Sequence, residues 1–143
     1  MDPDDEWGRL RSALSNTLSD DPEIDFAVVF GSRVSGTARS SSDIDLAVKF
    51  SDDLSSTEQF RKRCFLSGDL QRDDAPFVDV SDIESLPPDV AHEAVNGEFL
   101  CGDERTFDTF RERVEARFEA QRDERRQHQR DVIDRIAERG LHG

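Results

Sequence analysis

The sequence predicts an α/β (α+β) fold: a small mixed sheet of three or four strands, with helices packed on one face and an extended C-terminal helix. An apolar stripe at spacings of three and four, typical of a first helix, is formed by Trp7, Leu10, Leu14 and Leu18. Residues 24–30 are a short β-rich apolar run that stops at Gly31, as a buried strand does. Residues 103–139 favour a helix throughout. These three observations give helices and strands in one chain.

The segments between them complete the order of elements. A second strand begins at the aspartates of 43–48, and a helix covers 56–72. A third strand follows at 77–80, and the prolines at 87 and 88 suit the first turn of a helix that ends before Gly97. We therefore expect a core domain over residues 1–102, and a helical extension over 103–143 that packs on it or continues it.

Composition limits the functions that are open to the chain. A chain of 143 residues supports one hydrophobic core. Its net charge of −14 would repel the phosphates of a nucleic acid, so stable binding to a duplex is not expected. Only two lysines are present, and an acidic, lysine-poor surface is typical of salt-loving organisms. We expect a haloarchaeal source.

The sequence also allows predictions about the location of the protein and about its two cysteines. Residues 1–7 are acidic and lack the apolar segment of a signal peptide, and no run of about 18 apolar residues occurs. We expect a cytoplasmic protein without a membrane partner. Cys64 and Cys101 are far apart and match no zinc or redox spacing, so two buried structural thiols are expected.

Two aspartates at the start of the second strand carry the chemistry. Side chains at i and i+2 of a strand leave the same face, so Asp43 and Asp45 are expected side by side while Ile44 and Leu46 enter the core. Two adjacent carboxylates repel each other unless a cation lies between them. Mg²⁺ prefers such oxygen ligands, with waters and substrate phosphates completing its shell. The pattern predicts a magnesium site that also binds a triphosphate.

Two further positions fit this site. Gly31 and Ser32 leave the first strand where a glycine lets the backbone approach a phosphate, and where a hydroxyl can bond its oxygens. A third carboxylate is expected if two metals are to clamp the attacking and leaving oxygens. Asp79 is favoured over Asp82, because valines flank Asp79 in the third strand while Asp82 follows where that strand ends.

The pattern Gly-Ser, ten residues, Asp-x-Asp, with a later strand aspartate, resembles the polymerase-β-type nucleotidyltransferase superfamily, in particular its minimal members, over residues 24–82. The resemblance implies Mg²⁺-dependent transfer of AMP from ATP, with two ions held by Asp43, Asp45 and Asp79, which act as catalytic residues. It assigns Gly31 and Ser32 to the phosphates, and Asp79 also to activation of the acceptor. Further candidates for nucleotide contacts are Arg33, which equally suits a surface cation, and Ser42.

The resemblance also implies a partner. Many minimal nucleotidyltransferases are encoded beside a HEPN ribonuclease toxin and act as its antitoxin by transferring AMP to a tyrosine of the toxin. Two alternatives stay open on the residues alone. One is an antitoxin that neutralises its partner by contact, and the other is transfer to a small molecule, as in related antibiotic-modifying enzymes.

Overall fold

The computed structural model describes residues 3–31, 43–71 and 76–140. In chain order its elements are α1 (Pro3–Ser19), β1 (Ile24–Phe30), β2 (Ile44–Phe50), α2 (Ser56–Asp69), β3 (Val78–Asp82), a 3₁₀ turn (Ile83–Ser85), α3 (Pro88–Val95), β4 (Glu98–Gly102) and α4 (Glu104–Gly140). The predicted order of helices and strands is confirmed, and the short apolar piece after Gly97 is the fourth strand.

The four strands form one mixed sheet in the order β3-β2-β1-β4. β1 is antiparallel to both of its neighbours, whereas β2 and β3 are parallel. A parallel pair needs a crossover connection, and α2 lies in that connection. The mixed sheet is the one expected from the sequence, and its parallel pair brings the starts of β2 and β3 together at one end.

One face of the sheet is covered by α1 and α2. The α1 residues Leu14 and Leu18 pack with Leu66 of α2 and with the inward side chains of all four strands. Trp7 and Leu10 lie at the margin of the same cluster. The predicted stripe on the first helix is therefore the contact that docks it on the sheet.

The opposite face is also covered in part, which corrects the expectation of helices on one face. Phe26, Val28 and Phe30 of β1 pack there against Ala94 of α3 and Phe107 of α4. The rings of Phe26 and Phe107 meet edge to face at 5.2 Å. Because β1 is apolar on both faces, burial requires a helical layer on each side of it.

The helix α4 has 37 residues, which gives a length of about 55 Å. Its first half packs on the sheet through Phe107, Phe110 and Val114. Val132, Ile133 and Ile136 in its second half are exposed. Within the described ranges, no helix combines the length and apolarity that a bilayer span requires.

Lys49 is a buried cation in β2. Its Nζ donates to Asp25 at 3.1 Å, to Asp52 at 3.0 Å and to the carbonyl of Phe50 at 2.9 Å. Glu84 lies 3.4 Å from the same nitrogen. Three carboxylates around one ammonium group satisfy its charge and join β1, β2 and the 3₁₀ turn.

The cysteine prediction is half right. Cys101 of β4 is buried, and burial raises the pKa of its thiol. Cys64 is exposed, because it lies on the outer side of α2 while Leu66 faces the sheet. The expectation of a buried thiol at 64 was wrong.

Candidate active site

The three aspartates singled out from the sequence lie at one end of the β2–β3 pair. Asp43 directly precedes β2, and Asp45 is its second residue. Asp79 is the second residue of β3 and lies in register with Asp45 on the neighbouring strand. Ile44, Leu46, Val78 and Val80 are buried in the core, so the aspartates leave the opposite face. The structure brings all three predicted acids to one patch of sheet, termed the acidic patch below.

The electrostatics of the acidic patch act most strongly on Asp45. Burial, followed by the charges of Asp79, Asp43 and Glu93, raises the pKa of the Asp45 carboxyl above its usual value. Each of these causes disfavours the ionised form. A cation would reverse the balance, because it attracts every one of these carboxylates.

Glu93 was not among the residues predicted from the sequence. It is an exposed residue of α3 whose charge acts on Asp45 from outside the strands. Its neighbour Ala94 packs against the β1 face that α3 covers. No spacing relates position 93 to position 45 along the chain, so only the tertiary packing of α3 reveals this fourth acid.

Gly31 lies where β1 ends beside the acidic patch. Phe30, the last residue of β1, pairs with Asp45. Gly31 has a φ of +87°, and a Cβ at this position would overlap the Oδ2 atom of Asp45. The backbone conformation favours glycine here, and a side chain would displace the Asp45 carboxylate. The predicted phosphate-binding glycine therefore adjoins the predicted metal ligands.

Four other residues were considered for the site on sequence grounds. Ser32, Arg33 and Ser42 lie outside the described residues. Asp82, the weaker candidate for the third acid, accepts hydrogen bonds from the backbone N–H of Glu84 at 3.0 Å and from the hydroxyl of Ser85 at 3.4 Å. Asp82 thus caps the 3₁₀ turn, while Asp79 lies in the acidic patch.

The donor set of the acidic patch suits Mg²⁺. All of its ligands are carboxylate oxygens, the atoms that this hard cation prefers. Across residues 3–31, 43–71 and 76–140, no three His, Cys, Asp or Glu side chains already converge as a closed metal-binding group. Mg²⁺ usually takes one or two carboxylates and completes its octahedron with waters and substrate phosphates, so an open set of acids fits a metal that arrives with a nucleotide.

A histidine of α3 packs against the C-terminal helix. His92 of α3 stacks on Phe118 of α4, with the ring centroids 3.9 Å apart and the planes at 5°. This contact fastens α3, which carries Glu93, to the C-terminal helix. His92 thereby has a packing role.

Comparison with known proteins gives a consistent result. The family model described as polymerase beta, nucleotidyltransferase matches residues 12–106. The chain is similar to a crystal structure of a toxin-antitoxin with AMP-PNP, at 25% identity, 86% coverage of this chain, 98% of that chain and a TM-score of 0.64. It is also similar to a point mutant of the toxin-antitoxin MntA-HpeT, at 26% identity, 85% and 96% coverage and a TM-score of 0.62.

A third similar structure is a tri-AMPylated Shewanella oneidensis HEPN toxin in complex with an MNT antitoxin, at 22% identity, 88% and 98% coverage and a TM-score of 0.61. At this identity the likeness concerns the fold. A comparison with curated proteins found no match. The family model spans all four strands of the sheet, including the acidic patch and Gly31. The chain is a nucleotidyltransferase and belongs to the polymerase beta nucleotidyltransferase family.

Proposed function

We propose that this nucleotidyltransferase transfers AMP from ATP to a tyrosine hydroxyl of a HEPN-domain toxin and thereby acts as its antitoxin. The observation that carries the proposal is the acidic patch beside Gly31, in which Asp45 and Asp79 are paired across parallel strands. In such a patch, one bound triphosphate could contact both the metal ligands and the backbone at Gly31.

The nucleotide and the partner are supported by the solved structures. One toxin-antitoxin structure contains AMP-PNP, an ATP analogue, and the match to this chain extends over 98% of the chain in that structure. The MntA-HpeT structure is covered to a similar extent. A chain of this size and fold therefore occurs in toxin-antitoxin assemblies, and this supports ATP as substrate and a toxin as acceptor.

Each residue of the candidate site is proposed to have a separate role. Asp43, Asp45 and Asp79 would hold two Mg²⁺ ions, which would supply neutralisation of the charge on the phosphates. The Gly31 backbone adjoins the triphosphate, and Ser32, Arg33 and Ser42 are proposed to contact it from the segment between β1 and β2. Asp79, on the strand at the sheet edge, accepts the proton of the attacking hydroxyl. Positioning and charge neutralisation supply most of the rate in such transfers.

Domain organisation, source and location complete the proposal. Residues 1–102 form the nucleotidyltransferase core and 103–143 its helical extension, which begins on the core through Phe107. The haloarchaeal source stays a prediction from composition, and the cytoplasmic location stays a prediction from the sequence. The net charge of −14 is consistent with the first.

Labelling of a toxin tests the proposal directly. Purified chain, Mg²⁺ and ATP labelled at the α-phosphate are incubated with a HEPN-domain toxin from the same source. Intact-mass spectrometry then follows AMP additions to the toxin. Label on a toxin tyrosine, absent when Asp43 is replaced by Asn, supports the proposal. A toxin that stays unmodified while the chain still inhibits it would refute it.

A second candidate function, inhibition by contact alone, is favoured by one observation. Val132, Ile133 and Ile136 leave an apolar group exposed on the second half of α4. Equal inhibition of the toxin by wild-type chain and by the Asp43→Asn variant favours contact. Loss of inhibition in the variant favours chemistry.

A further inference from the structure

Phe77 is an aromatic residue left half-exposed beside the acidic patch. Its carbonyl oxygen accepts a hydrogen bond from the N–H of Ile44 at 2.8 Å, which continues the β2–β3 ladder by one step beyond Val78. Residues i and i+2 of an extended segment share a face. Val78 is buried and Phe77 is 51% exposed, so the ring leaves the sheet on the side of Asp79.

The position of the ring is fixed by the strand order. The parallel register that pairs Ile44 with Val78 places Phe77 next to Asp43. β3 is an edge strand of the sheet, whereas Gly31 follows β1 on the other side of β2. Phe77 and Gly31 therefore flank the acidic patch from opposite sides.

The core does not account for this ring. Phe77 belongs to neither cluster of buried side chains. Among the described residues, the other large apolar side chains that are exposed lie on α2 or on α4, namely Phe60, Phe65, Val132, Ile133 and Ile136. Phe77 thus gives the sheet an exposed apolar surface next to the acidic patch.

The in-line geometry of the transfer indicates which substrate lies near the ring of Phe77. The attacking oxygen approaches the α-phosphorus opposite the departing pyrophosphate. With the phosphates on the Gly31 side, the acceptor hydroxyl enters over β3, on the side of Phe77. A phenylalanine offers no hydrogen bond, only a flat apolar ring, so it suits an acceptor whose hydroxyl is carried by a ring of the same kind. The acidic surface also disfavours an acceptor that carries phosphates.

We infer that Phe77 is the acceptor platform of the site: it stacks against the aromatic ring of a phenolic acceptor and so selects a tyrosine over a serine or threonine. This inference rests on the proposed function and adds a specificity residue to it. The phenol oxygen forms a bond to the α-phosphorus while the bond to the bridging oxygen breaks. Pyrophosphate leaves with the electron pair, and the phenol proton passes to the Asp79 carboxylate.

The test compares two small acceptors. N-acetyl-L-tyrosine amide and N-acetyl-L-serine amide are offered with Mg²⁺ and ATP labelled at the α-phosphate. Phe77→Ala is expected to lower kcat/KM for the tyrosine probe about tenfold, the size of one aromatic pair, to leave kcat/KM for the serine probe unchanged, and to leave the KM for ATP unchanged. Phe60→Ala is the matched control, because Phe60 is 57% exposed on α2, which covers the other face of the sheet. It should change none of these values.

A binding measurement distinguishes a failure of the role inferred for Phe77 from a failure of the proposed function. In saturation-transfer NMR with Mg²⁺ and AMP-PNP, the ring protons of the tyrosine probe should receive saturation from wild type and Phe60→Ala but not from Phe77→Ala. Equal signals from wild type and Phe77→Ala overturn the inference, as does a higher KM for ATP in Phe77→Ala, which would indicate a base platform. Ring contact at Phe77 without transfer to any hydroxyl would instead overturn the proposed function.

Discussion

Asp45 of β2 lies directly opposite Asp79 of β3, and both side chains leave the same face of the sheet. Adjacent parallel strands are only about 4.8 Å apart, so two ionised carboxylates at this position repel each other. Asp43 and Glu93 add to that repulsion, and burial adds to it further. The acidic patch therefore destabilises the metal-free fold, and this cost can be measured.

Replacing Asp45 by Asn should stabilise the metal-free protein at neutral pH. The variant removes a carboxylate whose ionised form is disfavoured by burial and by three neighbouring charges. We expect the Tm in EDTA to rise by no more than about 4 °C, the shift that corresponds to about 1 kcal/mol in a chain of this size. Asp53→Asn, in the exposed turn after β2, is the control and should leave the Tm unchanged. A lower Tm for Asp45→Asn would contradict the repulsion.

The pH dependence of this difference has a definite sign. Because the pKa of Asp45 is raised in the folded state, the folded chain holds this proton more tightly than the unfolded chain. The loss of stability caused by the ionised Asp45 carboxylate is complete above the raised pKa, and it disappears as the pH falls through that pKa. Unfolding curves of wild type and Asp45→Asn should therefore diverge most near neutral pH and approach each other in acid. A constant difference across this range would argue against a titrating origin.

Asp43→Asn should abolish transfer while the domain stays folded. Asp43 is exposed and precedes β2, so the variant leaves the core untouched. Removal of one such charge-stabilising group typically costs about 10²–10³ in rate, and loss of a proposed metal ligand should cost at least that much. Release of pyrophosphate measures the reaction, and circular dichroism checks the fold. Wild-type rates in a folded Asp43→Asn variant would exclude the proposed site.

Gly31 and Gly8 provide a matched pair of glycine substitutions. Gly31→Ala forces a left-handed backbone on a residue with a Cβ, at about 1–2 kcal/mol, and drives that Cβ into the Asp45 carboxylate. We expect lower stability and at least a tenfold loss of transfer. Gly8→Ala, in α1 with open space around it, should instead stabilise the chain by about 0.5–1 kcal/mol. Urea unfolding and a transfer assay on both variants measure these effects.

Much of the acidic patch could be predicted from the sequence, because the patterns that indicate it lie within short segments of the chain. The i, i+2 spacing of Asp43 and Asp45 fixes a shared face in any strand, and flanking valines give Asp79 the same orientation. The second helical layer was missed although β1 carries a signal for it. Residues 26–30 are apolar without alternation, which is typical of a strand buried on both faces.

Other features have no local signal. Glu93 reaches the acidic patch only because α3 packs across β1, and nothing in the spacing of positions 45 and 93 encodes that contact. Phe77 was counted as part of a strand, but its exposure depends on β3 being an edge strand and on which face the helices leave open. Cys64 was expected to be buried because it matches no zinc or redox spacing, and only the packing of Leu66 shows which side of its helix faces the sheet.

Lys49 should contribute more to stability than Lys62. Lys49 is buried, and its pKa is raised because the hydrogen bonds to Asp52 and Asp25 and the charge of Glu84 outweigh the opposing effect of burial. Lys49→Met should cost about 2 kcal/mol, as expected for hydrogen bonds to a charged group. Lys62 is more exposed and is paired with Asp21 and Glu23. Its substitution by Met should lower the stability by less than about 1 kcal/mol. The Lys49 contribution should persist below pH 10.5 and fade as the pH rises through the raised pKa.

Two truncations test how far the core domain extends. Ending the chain after residue 102 removes Phe107 and Phe110, whose rings pack against Phe26, and uncovers the second face of β1. Loss of one such buried phenylalanine typically costs about 3–5 kcal/mol, so this shorter chain should unfold or aggregate. Thermal unfolding followed by circular dichroism measures the effect. A residue-102 chain as stable as wild type would make 103–143 a separate unit.

The second truncation, after residue 120, is the matched control for the first. It keeps the contacts to Phe26 together with the stacking of Phe118 on His92, and removes a segment that is largely exposed. This longer chain should keep the wild-type Tm within about 2 °C, since surface changes of this kind alter stability by about 0.5 kcal/mol. An unstable residue-120 chain would show instead that the second half of α4 belongs to the core.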